Sequence, residues 1–186
     1  MAHPTIPLEE VVSLLAEVFR KEGYEAASLA TLAGATGLGK SSLYHFFPGG
    51  KEEMANAVLT KSNQTFMETV VAPLKLPKPP ATRIAEMVRN VDHYYCSGEA
   101  SCLLGMLSMG SAPSKFRAHI ENGFAAWLEA LTKVLVEYGF TRSVARQRAE
   151  DTIFRIEGAL LVSRGMSDPA PFQRLLIRLK SQIISD

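Results

Sequence analysis

The sequence has 186 residues and a mass of 20.3 kDa, which suggests one domain or a small module joined to a larger one and excludes a large multidomain enzyme. Apolar residues make up 47% of the chain and charged residues 21%, so we expect a folded core rather than disorder. Twenty Lys+Arg against nineteen Asp+Glu leave a formal net charge of +1, which excludes the global basic excess of many nucleic-acid-binding proteins.

The composition also bears on location and redox state. Residues 1–6 lack the features of a signal peptide, and no stretch approaches the roughly 18 apolar residues of a membrane span, so we expect a cytoplasmic protein. Cys96 and Cys102 are too few for a disulfide framework and lack the Cys/His pattern of a zinc site. We expect two free thiols, with a redox-switching pair as the alternative, and neither a metal nor a cofactor.

The N-terminal part of the chain predicts one amphipathic helix and then two short ones. Apolar residues recur at helical spacing over residues 8–19, and Gly23 follows as a stop signal. Ser28 can cap a short helix that ends near Ala35, after which Gly37 supplies a turn. A second short helix is expected over residues 39–46.

Residues 34–41, Gly-Ala-Thr-Gly-Leu-Gly-Lys-Ser, match the phosphate-binding loop pattern G-x-x-x-x-G-K-[ST] at every required position. Taken literally, the pattern predicts an NTPase in which Lys40 and Ser41 contact the phosphates and their magnesium ion. That chemistry needs a buried strand before the loop and a later Asp for the metal, and the sequence predicts neither. The NTPase is kept as an alternative.

The same residues fit a helix-turn-helix, in which the second short helix enters the major groove of DNA. Leu32, Ala33, Leu38 and Leu43 would form the small core between the two helices. The outward side is then left with small or hydrogen-bonding residues of the kind that contact base edges and phosphates, namely Gly39, Lys40, Ser41, Ser42, Tyr44 and His45.

A family resemblance lies in three tracts: Ser28-Leu-Ala-Thr-Leu-Ala33, Thr36-Gly-Leu-Gly-Lys-Ser-Ser-Leu-Tyr-His-Phe-Phe47 and Lys51-Glu-Glu-Met54. Together they resemble the DNA-binding domain of TetR-family transcriptional regulators. The loop Pro48-Gly49-Gly50 is one residue longer than the commonest form, and it is similar to that of the LmrA/YxaF branch. The tract Cys102-Leu-Leu-Gly105 resembles the same branch.

The resemblance implies a homodimeric, ligand-responsive regulator, most often a repressor, that binds a palindromic operator and is released by a small inducer. Residues 1–50 would form its helix-turn-helix DNA-binding domain and residues 51–186 its ligand-binding and dimerisation domain. By position, the resemblance implies eight DNA contacts: Ser28, Thr31, Lys40, Ser41, Ser42, Tyr44, His45 and Lys51. Gly39 stands where the family often has Ser or Thr, which removes one phosphate contact.

The rest of the chain predicts further helices, because apolar residues keep helical spacing between glycine and proline stop signals. No alternating strand pattern is present, so we predict an all-α fold of about nine helices. A longer helix is expected to begin at Lys51, and a proline-rich extended connector to follow at residues 73–80. The later helical segments are 84–98, 103–109, 116–138, 141–165 and 168–183.

Aromatic and methionine residues in these helices are candidates for a ligand pocket in the implied fold. They suit a flat, uncharged, lipophilic or aromatic effector, and His93 and Asn90 could donate hydrogen bonds to it. For each residue taken singly, ordinary core packing is the alternative. The nine candidates are Tyr94, Tyr95, Cys102, Met106, Met109, Phe116, Phe124, Trp127 and Phe154.

The last two helices are expected to pair with their copies in a second subunit as a four-helix interface. Gly158 and Ala159 would allow close approach, and Phe172, Leu176 and Leu179 would make apolar contacts. The alternative for these residues is a core within one chain. A further alternative for the whole protein is a helical ligand-binding dimer that does not recognise DNA.

Overall fold

A computed structural model of the chain describes residues 6–109 and 113–185. Within these residues there are nine α-helices and no strand, which confirms the predicted all-α fold. No helix in the described ranges is both long enough and apolar enough to cross a membrane. The helices are α1 (Leu8–Ala26), α2 (Leu29–Thr36), α3 (Lys40–Phe46), α4 (Gly50–Phe66), α5 (Pro80–Tyr94), α6 (Leu103–Ser108), α7 (Pro113–Tyr138), α8 (Arg142–Met166) and α9 (Ala170–Gln182).

The ends of the two short helices form as the sequence predicts. The Ser28 hydroxyl accepts the Thr31 N–H at 3.0 Å and caps α2. Gly37 ends α2 in the left-handed region at φ 66°, which a residue without Cβ adopts at little cost. Gly39 precedes α3 and has no side chain to cap it. The helix-turn-helix geometry is therefore encoded by local residues.

The connector between α4 and α5 differs from the predicted extended segment. Helical structure continues past α4 through a π-turn at Met67–Val71 and a 3-10 turn at Ala72–Lys75. Pro73 is accommodated because it lies in the first turn of the 3-10 helix, where its missing N–H has no intrahelical partner to lose. Burial of Val70, Val71 and Leu74 holds this continuation in place.

The chain divides into two compact units. The first contains the chain through residue 63 and residues 103–120, and the second contains residues 64–102 and 121–186. In the first unit, α1 packs against α2 and α6, with fully buried side chains such as Val11, Leu15 and Phe19. The predicted DNA-binding domain (residues 1–50) and the predicted ligand-binding and dimerisation domain (residues 51–186) are divisions by function, and they stay a prediction.

The second unit has its core between α5, α7, α8 and α9. Trp127 is buried, and its indole N–H donates to the Met87 sulfur at 3.3 Å. Arg83 is also buried; it donates to the Leu74 carbonyl oxygen at 2.9 Å and pairs with Glu137. These bonds stabilise a charge that would otherwise be costly to bury, although the buried Arg83 Nε has no hydrogen-bond partner in the described chain, and they tie the connector to α5 and α7.

Candidate nucleic-acid interface

Short helix α3 is held by a small apolar core beneath it. Leu32 of α2, Leu43 of α3 and Phe47 just beyond α3 are buried, at 0%, 1% and 3% exposure. Ala33 and Leu38, which were predicted to share this core, are half-buried. Since α3 has seven residues and cannot hold its shape alone in water, this packing fixes its orientation.

The opposite face of α3 is open to solvent. Lys40, Ser41, Tyr44 and His45 are exposed, and Ser42 is half-buried. Tyr44 is 45% exposed, and its ring lies beside Gly50, where an added Cβ would be 3.5 Å from a ring carbon. Five of the eight predicted DNA-contacting residues therefore lie together on one short helix, with hydrogen-bonding groups toward solvent.

The Ser28 and Thr31 side chains mark the start of α2. Their hydroxyl oxygens are 2.9 Å apart and hydrogen-bonded, in addition to the cap that Ser28 makes to the Thr31 N–H. Ser28 is exposed and Thr31 is half-buried. Backbone contacts to DNA from a helix start are common, because free N–H groups there attract phosphate. The assignment of Ser28 and Thr31 to the DNA backbone stays a prediction.

The loop from Phe47 to Gly50 turns the chain from α3 into α4. Gly50 has φ 69°, which favours glycine, and its N–H donates to the Phe47 carbonyl oxygen at 2.9 Å. The Gly49 N–H donates to the Glu53 carboxylate at 2.6 Å, which caps the start of α4 from within the first turn. The glycines thus fix the angle between α3 and α4.

Lys51 is bound within the first unit. Its ammonium nitrogen donates to the carbonyl oxygens of Tyr24, at 2.8 Å, and Glu25, at 3.4 Å, and it lies 4.5 Å from the centroid of the Tyr24 ring. The negative end of the α1 dipole and the ring face both favour a cation at this point. Lys51 therefore connects the end of α1 to the start of α4, and its predicted phosphate contact stays a prediction.

Replacing Lys51 by Met is expected to lower the free energy of unfolding by about 1 kcal/mol, because two carbonyl contacts and the cation–π contact are lost while the aliphatic stem remains. Thermal unfolding of the full chain measures this, with Lys75→Met as the control for an exposed lysine. Equal stability of the two variants would contradict the role inferred from the Tyr24 contacts.

The first turns of α7 lie against α1 and α4 within the first unit. Lys115 forms a 2.5 Å ion pair with Glu52, and the Asn63 amide donates to the His119 carbonyl oxygen at 3.0 Å. Phe116 is buried edge-on against Tyr24, with ring centroids 5.0 Å apart. The hydrogen bond with Glu52 raises the pKa of Lys115, and burial raises the pKa of Tyr24. The residues of each pair are too far apart in sequence for hydrophobic periodicity to predict their contact.

The structure distributes the nine predicted ligand residues between both units. Met106, Met109 and Phe116 belong to the first unit, and the other six belong to the second. Phe116 is a core residue against Tyr24, whereas Met109 and Phe154 are 52% and 67% exposed. Each unit therefore holds only part of the predicted set.

An aromatic cluster is present inside the second unit. The Tyr94 and Trp127 rings both pack edge-on against Phe66, at centroid distances of 5.1 and 5.0 Å, and Tyr94 also packs against Tyr95 at 5.0 Å. Phe124 is half-buried. Phe66 was recognised from the sequence only as an apolar position of α4. The Asn90 amide donates to the Thr69 carbonyl oxygen at 2.8 Å, and His93 is exposed.

A largely buried carboxyl accompanies this cluster. The Tyr95 hydroxyl donates to Glu157 at 3.5 Å, and Cys102 is hydrogen-bonded to both side chains. Burial raises the pKa of Glu157 to about 7, against the opposing effect of hydrogen bonds from Cys102 and Tyr95. Glu157 was not among the residues predicted from the sequence. The sequence signal that could have revealed this carboxyl is a glutamate within the apolar run of α8.

Two surface grooves are lined by other residues. One, of about 570 Å³ in the first unit, is lined by Tyr24, Leu29, Tyr44, Pro48, Gly49, Gly50, Lys51 and Glu52. The other, of about 460 Å³ in the second unit, is lined by residues of α8 and the end of α9, where Arg148 donates to the carbonyl oxygens of Ile183 and Ser185. Neither groove is lined by any of the nine predicted ligand residues.

Three of the five residues predicted at the dimer interface are buried within the single chain. Phe172, Leu176 and Leu179 are 0%, 7% and 0% exposed in the single chain, because α9 packs them against α5 and α8. They are core residues of one chain and leave little surface for a partner. Gly158 is exposed and Ala159 half-buried. The exposed large apolar side chains of the two helices are Val144, Phe154, Leu161, Val162, Met166 and Ile177.

Two family models match the chain over regions that correspond to these features. Residues 12–58 match the model of bacterial regulatory proteins of the tetR family, and residues 80–176 match the C-terminal domain of LmrA/YxaF-like transcriptional regulators. The chain belongs to the TetR family. Because members of this family are transcriptional regulators, the NTPase alternative is wrong: residues 34–41 are the end of α2, the turn and the start of α3 in a helix-turn-helix, not a phosphate-binding loop.

Comparison with individual proteins agrees with this TetR-family assignment. The chain is 25% identical to the HTH-type transcriptional regulator YxaF of Bacillus subtilis (strain 168), over 88% of this chain and 87% of that protein. It is 24% identical to the regulator LmrA of the same organism, over 88% and 89%. The crystal structure of a TetR transcriptional regulator from Legionella pneumophila shares the fold, with TM-score 0.78, 20% identity and coverage of 97% and 99%.

Proposed function

We propose that this chain is a cytoplasmic repressor that binds a palindromic operator as a homodimer and is released by a small lipophilic or aromatic effector. The observation that carries the proposal is the exposed face of α3, where Lys40, Ser41, Tyr44 and His45 lie over a buried apolar core. In helix-turn-helix proteins that bind DNA, the second helix enters the major groove and contacts base edges and phosphates.

The distribution of charge refines this proposal. Residues 1–60 hold four Lys+Arg against seven Asp+Glu, a net of −3, whereas residues 61–186 hold sixteen against twelve, a net of +4; the sum is the +1 of the whole chain. Residues 34–51 contain two lysines and no acid. We therefore expect few phosphate contacts per subunit and modest non-specific affinity, so that tight binding depends on two subunits acting together.

A stripe along α8 supports dimerisation. Phe154, Gly158, Leu161 and Gly165, here called the α8 stripe, follow a four-three-four spacing and are all exposed. A Cβ added at either glycine would meet no atom of the described chain within 4 Å beyond neighbouring α8 backbone. Because glycine costs about 1 kcal/mol in a helix interior relative to alanine, and this chain does not require it, we infer that a partner helix approaches closely there.

The aromatic cluster of Phe66, Tyr94 and Trp127 supports an effector with lipophilic or aromatic character. Apolar walls with a few polar tips are typical of pockets for such molecules. The effector acts only if it binds one of two arrangements of the dimer more tightly. In the arrangement that it favours, the two α3 helices would no longer match successive major grooves, which are about 34–36 Å apart.

Selection of bound sequences from a random pool of double-stranded DNA tests the function directly. We expect recovery of a palindrome whose half-sites lie about one helical turn apart. A helical ligand-binding dimer without DNA recognition would give dimers in solution but no enriched sequence, and that result would overturn the proposal. The selection needs no effector, so it defines the symmetry of the operator and the spacing of its half-sites by itself.

Replacing Lys40 by Gln is expected to weaken binding to the selected operator roughly tenfold or more and to lower the slope of log affinity against log salt by about 2, one phosphate contact per subunit. Fluorescence anisotropy over a salt series measures both values. Lys75→Gln, an exposed lysine of the second unit, is the matched control. A Lys40 variant with the salt slope of the control would remove Lys40 from the interface.

A further inference from the structure

The start of α7 brings two basic residues into the first unit. Residues 1–63 of this unit hold five Lys+Arg against seven Asp+Glu, a net charge of −2. Residues 103–120, which complete the unit, add Lys115 and Arg117 and no acid. The first unit is therefore formally neutral as a whole, although the segment that carries the helix-turn-helix is acidic.

Glu52 lies at the edge of the proposed DNA-binding face. It belongs to the first turn of α4 and lines the same groove as Tyr44, which is exposed on α3. The Glu52 side chain is itself 45% exposed. Phosphates flank the major groove that α3 would enter, so an unpaired carboxylate at this edge would repel the DNA backbone.

Lys115 supplies the charge that balances Glu52. Its ammonium nitrogen lies 2.5 Å from a Glu52 carboxylate oxygen, and its side chain is about as exposed as that of Glu52. Lys51, which adjoins Glu52 in the sequence, instead donates to the carbonyl oxygens of Tyr24 and Glu25. The cation paired with Glu52 therefore comes from α7, 63 positions later in the chain.

Neighbouring contacts hold Lys115 in this place. Phe116, the next residue, is buried edge-on against Tyr24, and the Asn63 amide donates to the His119 carbonyl oxygen at 3.0 Å. These contacts fix the first two turns of α7 within the first unit, whatever the charge at residue 115. Because an exposed ion pair contributes little to folding stability, we expect the charge of Lys115 to act on DNA binding rather than on the fold.

We propose that Lys115 belongs to the DNA interface, where it neutralises Glu52 at the edge of the α3 face and so lets the phosphate backbone of the operator approach. The inference rests on the proposed function and adds to it a residue outside the helix-turn-helix. Charges at the rim of an interface change the association rate and the salt dependence, and phosphates carry no sequence information. Lys115 therefore contributes to affinity for any duplex and not to the choice of sequence.

A charge-deletion cycle at Lys115 and Glu52 tests this, measured by fluorescence anisotropy with the selected operator and with a duplex of scrambled sequence. Lys115→Gln leaves one unpaired carboxylate per subunit and should weaken binding to both duplexes about fivefold at about 0.05 M salt. Glu52→Gln leaves an unpaired cation and should strengthen binding by a similar factor. The double variant loses both charges and should bind within about twofold of the wild type.

The order of the four affinities separates a charge effect from a structural one. If the ion pair only positioned α4, both single variants would bind more weakly and the double variant would not recover, and that result would overturn the inference. A charge effect should also shrink as salt rises, because salt screens exposed charges. A damaged fold would weaken binding at every salt concentration.

Lys133→Gln is the matched control, because Lys133 is an exposed lysine of α7 that pairs with Glu129 at 3.6 Å but lies in the second unit. It should bind both duplexes like the wild type. A wild type that binds DNA, together with a Lys115→Gln variant that matches this control, would overturn the inference alone. A wild type that binds neither duplex would overturn the proposed function and this inference with it.

Discussion

Replacing Phe154 by Asp is expected to separate the dimer and abolish operator binding at concentrations where the wild type binds fully. Phe154 is 67% exposed in the single chain, so the substitution removes no core contact and the monomer should keep its fold. In a two-fold interface each substitution occurs twice, and two unpaired carboxylates would be desolvated beside the partner. We expect a loss of about 4 kcal/mol, a thousandfold rise in the dimer Kd.

Sedimentation velocity gives the dimer Kd, and circular dichroism gives the fold of the separated subunit. Val136→Asp is the matched control, because Val136 is 41% exposed but lies on α7, outside the α8 stripe. A Phe154→Asp variant that remains as dimeric as this control would show that the subunits associate through another surface.

The glycines of the α8 stripe provide a second, sharper test of the same interface. Gly158→Leu should leave the fold of the isolated subunit intact or slightly stabilise it, since leucine is the better helix former and the described chain leaves space for its Cβ. The same leucine would obstruct a closely packed partner helix and weaken the dimer. A variant that keeps its fold but no longer dimerises would not be expected if the substitution simply damaged the fold of the single chain.

The second large effect concerns pH. Glu157→Gln is expected to be more stable than the wild type by about 3 kcal/mol at pH 8 and equally stable near pH 4.5. The folded-state pKa of about 7 lies above the ordinary value of 4.5, so the folded chain holds the proton more tightly than the unfolded chain does. The stability that the neutral carboxyl contributes is complete below pH 4.5 and is lost as pH rises to about 7. Each unit of pKa difference corresponds to about 1.4 kcal/mol.

Denaturant unfolding at fixed protein concentration, repeated between pH 5 and 8, measures this difference. Glu150→Gln is the control, because its carboxyl is on the same helix but close to solvent and to Arg146. Parallel stability profiles for wild type and Glu157→Gln would mean that the carboxyl is hydrated in the folded chain.

Much of the fold follows from local residues. Ser28, Gly37 and Gly39 define the helix-turn-helix through backbone preferences that hold in any context, and the predicted and observed ends of α2 and α3 agree to within one residue. The connector was harder to predict, because Pro73 was expected to end helical structure. Burial of Leu74 and the contact of its carbonyl with Arg83 favour one more turn.

Less of the candidate site could be predicted, because its contacts join distant residues. Lys51 binds the Tyr24 carbonyl 27 positions earlier, and Tyr95 binds Glu157 62 positions later. Hydrophobic periodicity assigns residues to one face of a helix but carries no information about which element covers that face. For this reason Phe116 was predicted as a ligand contact, although the structure buries it against Tyr24.

The sequence by itself determined the helical class, the helix-turn-helix with the α3 residues predicted to contact DNA, and the TetR family, since all three depend on short-range spacing, caps and turns. Only the tertiary structure decided which apolar residues of the last two helices are core and which are free: Phe172 and Leu179 are covered within the chain, whereas Phe154 and Leu161 are exposed. The physical reason is that burial is a property of the folded neighbourhood, and identical side chains at similar spacing can lie on either side of a helix.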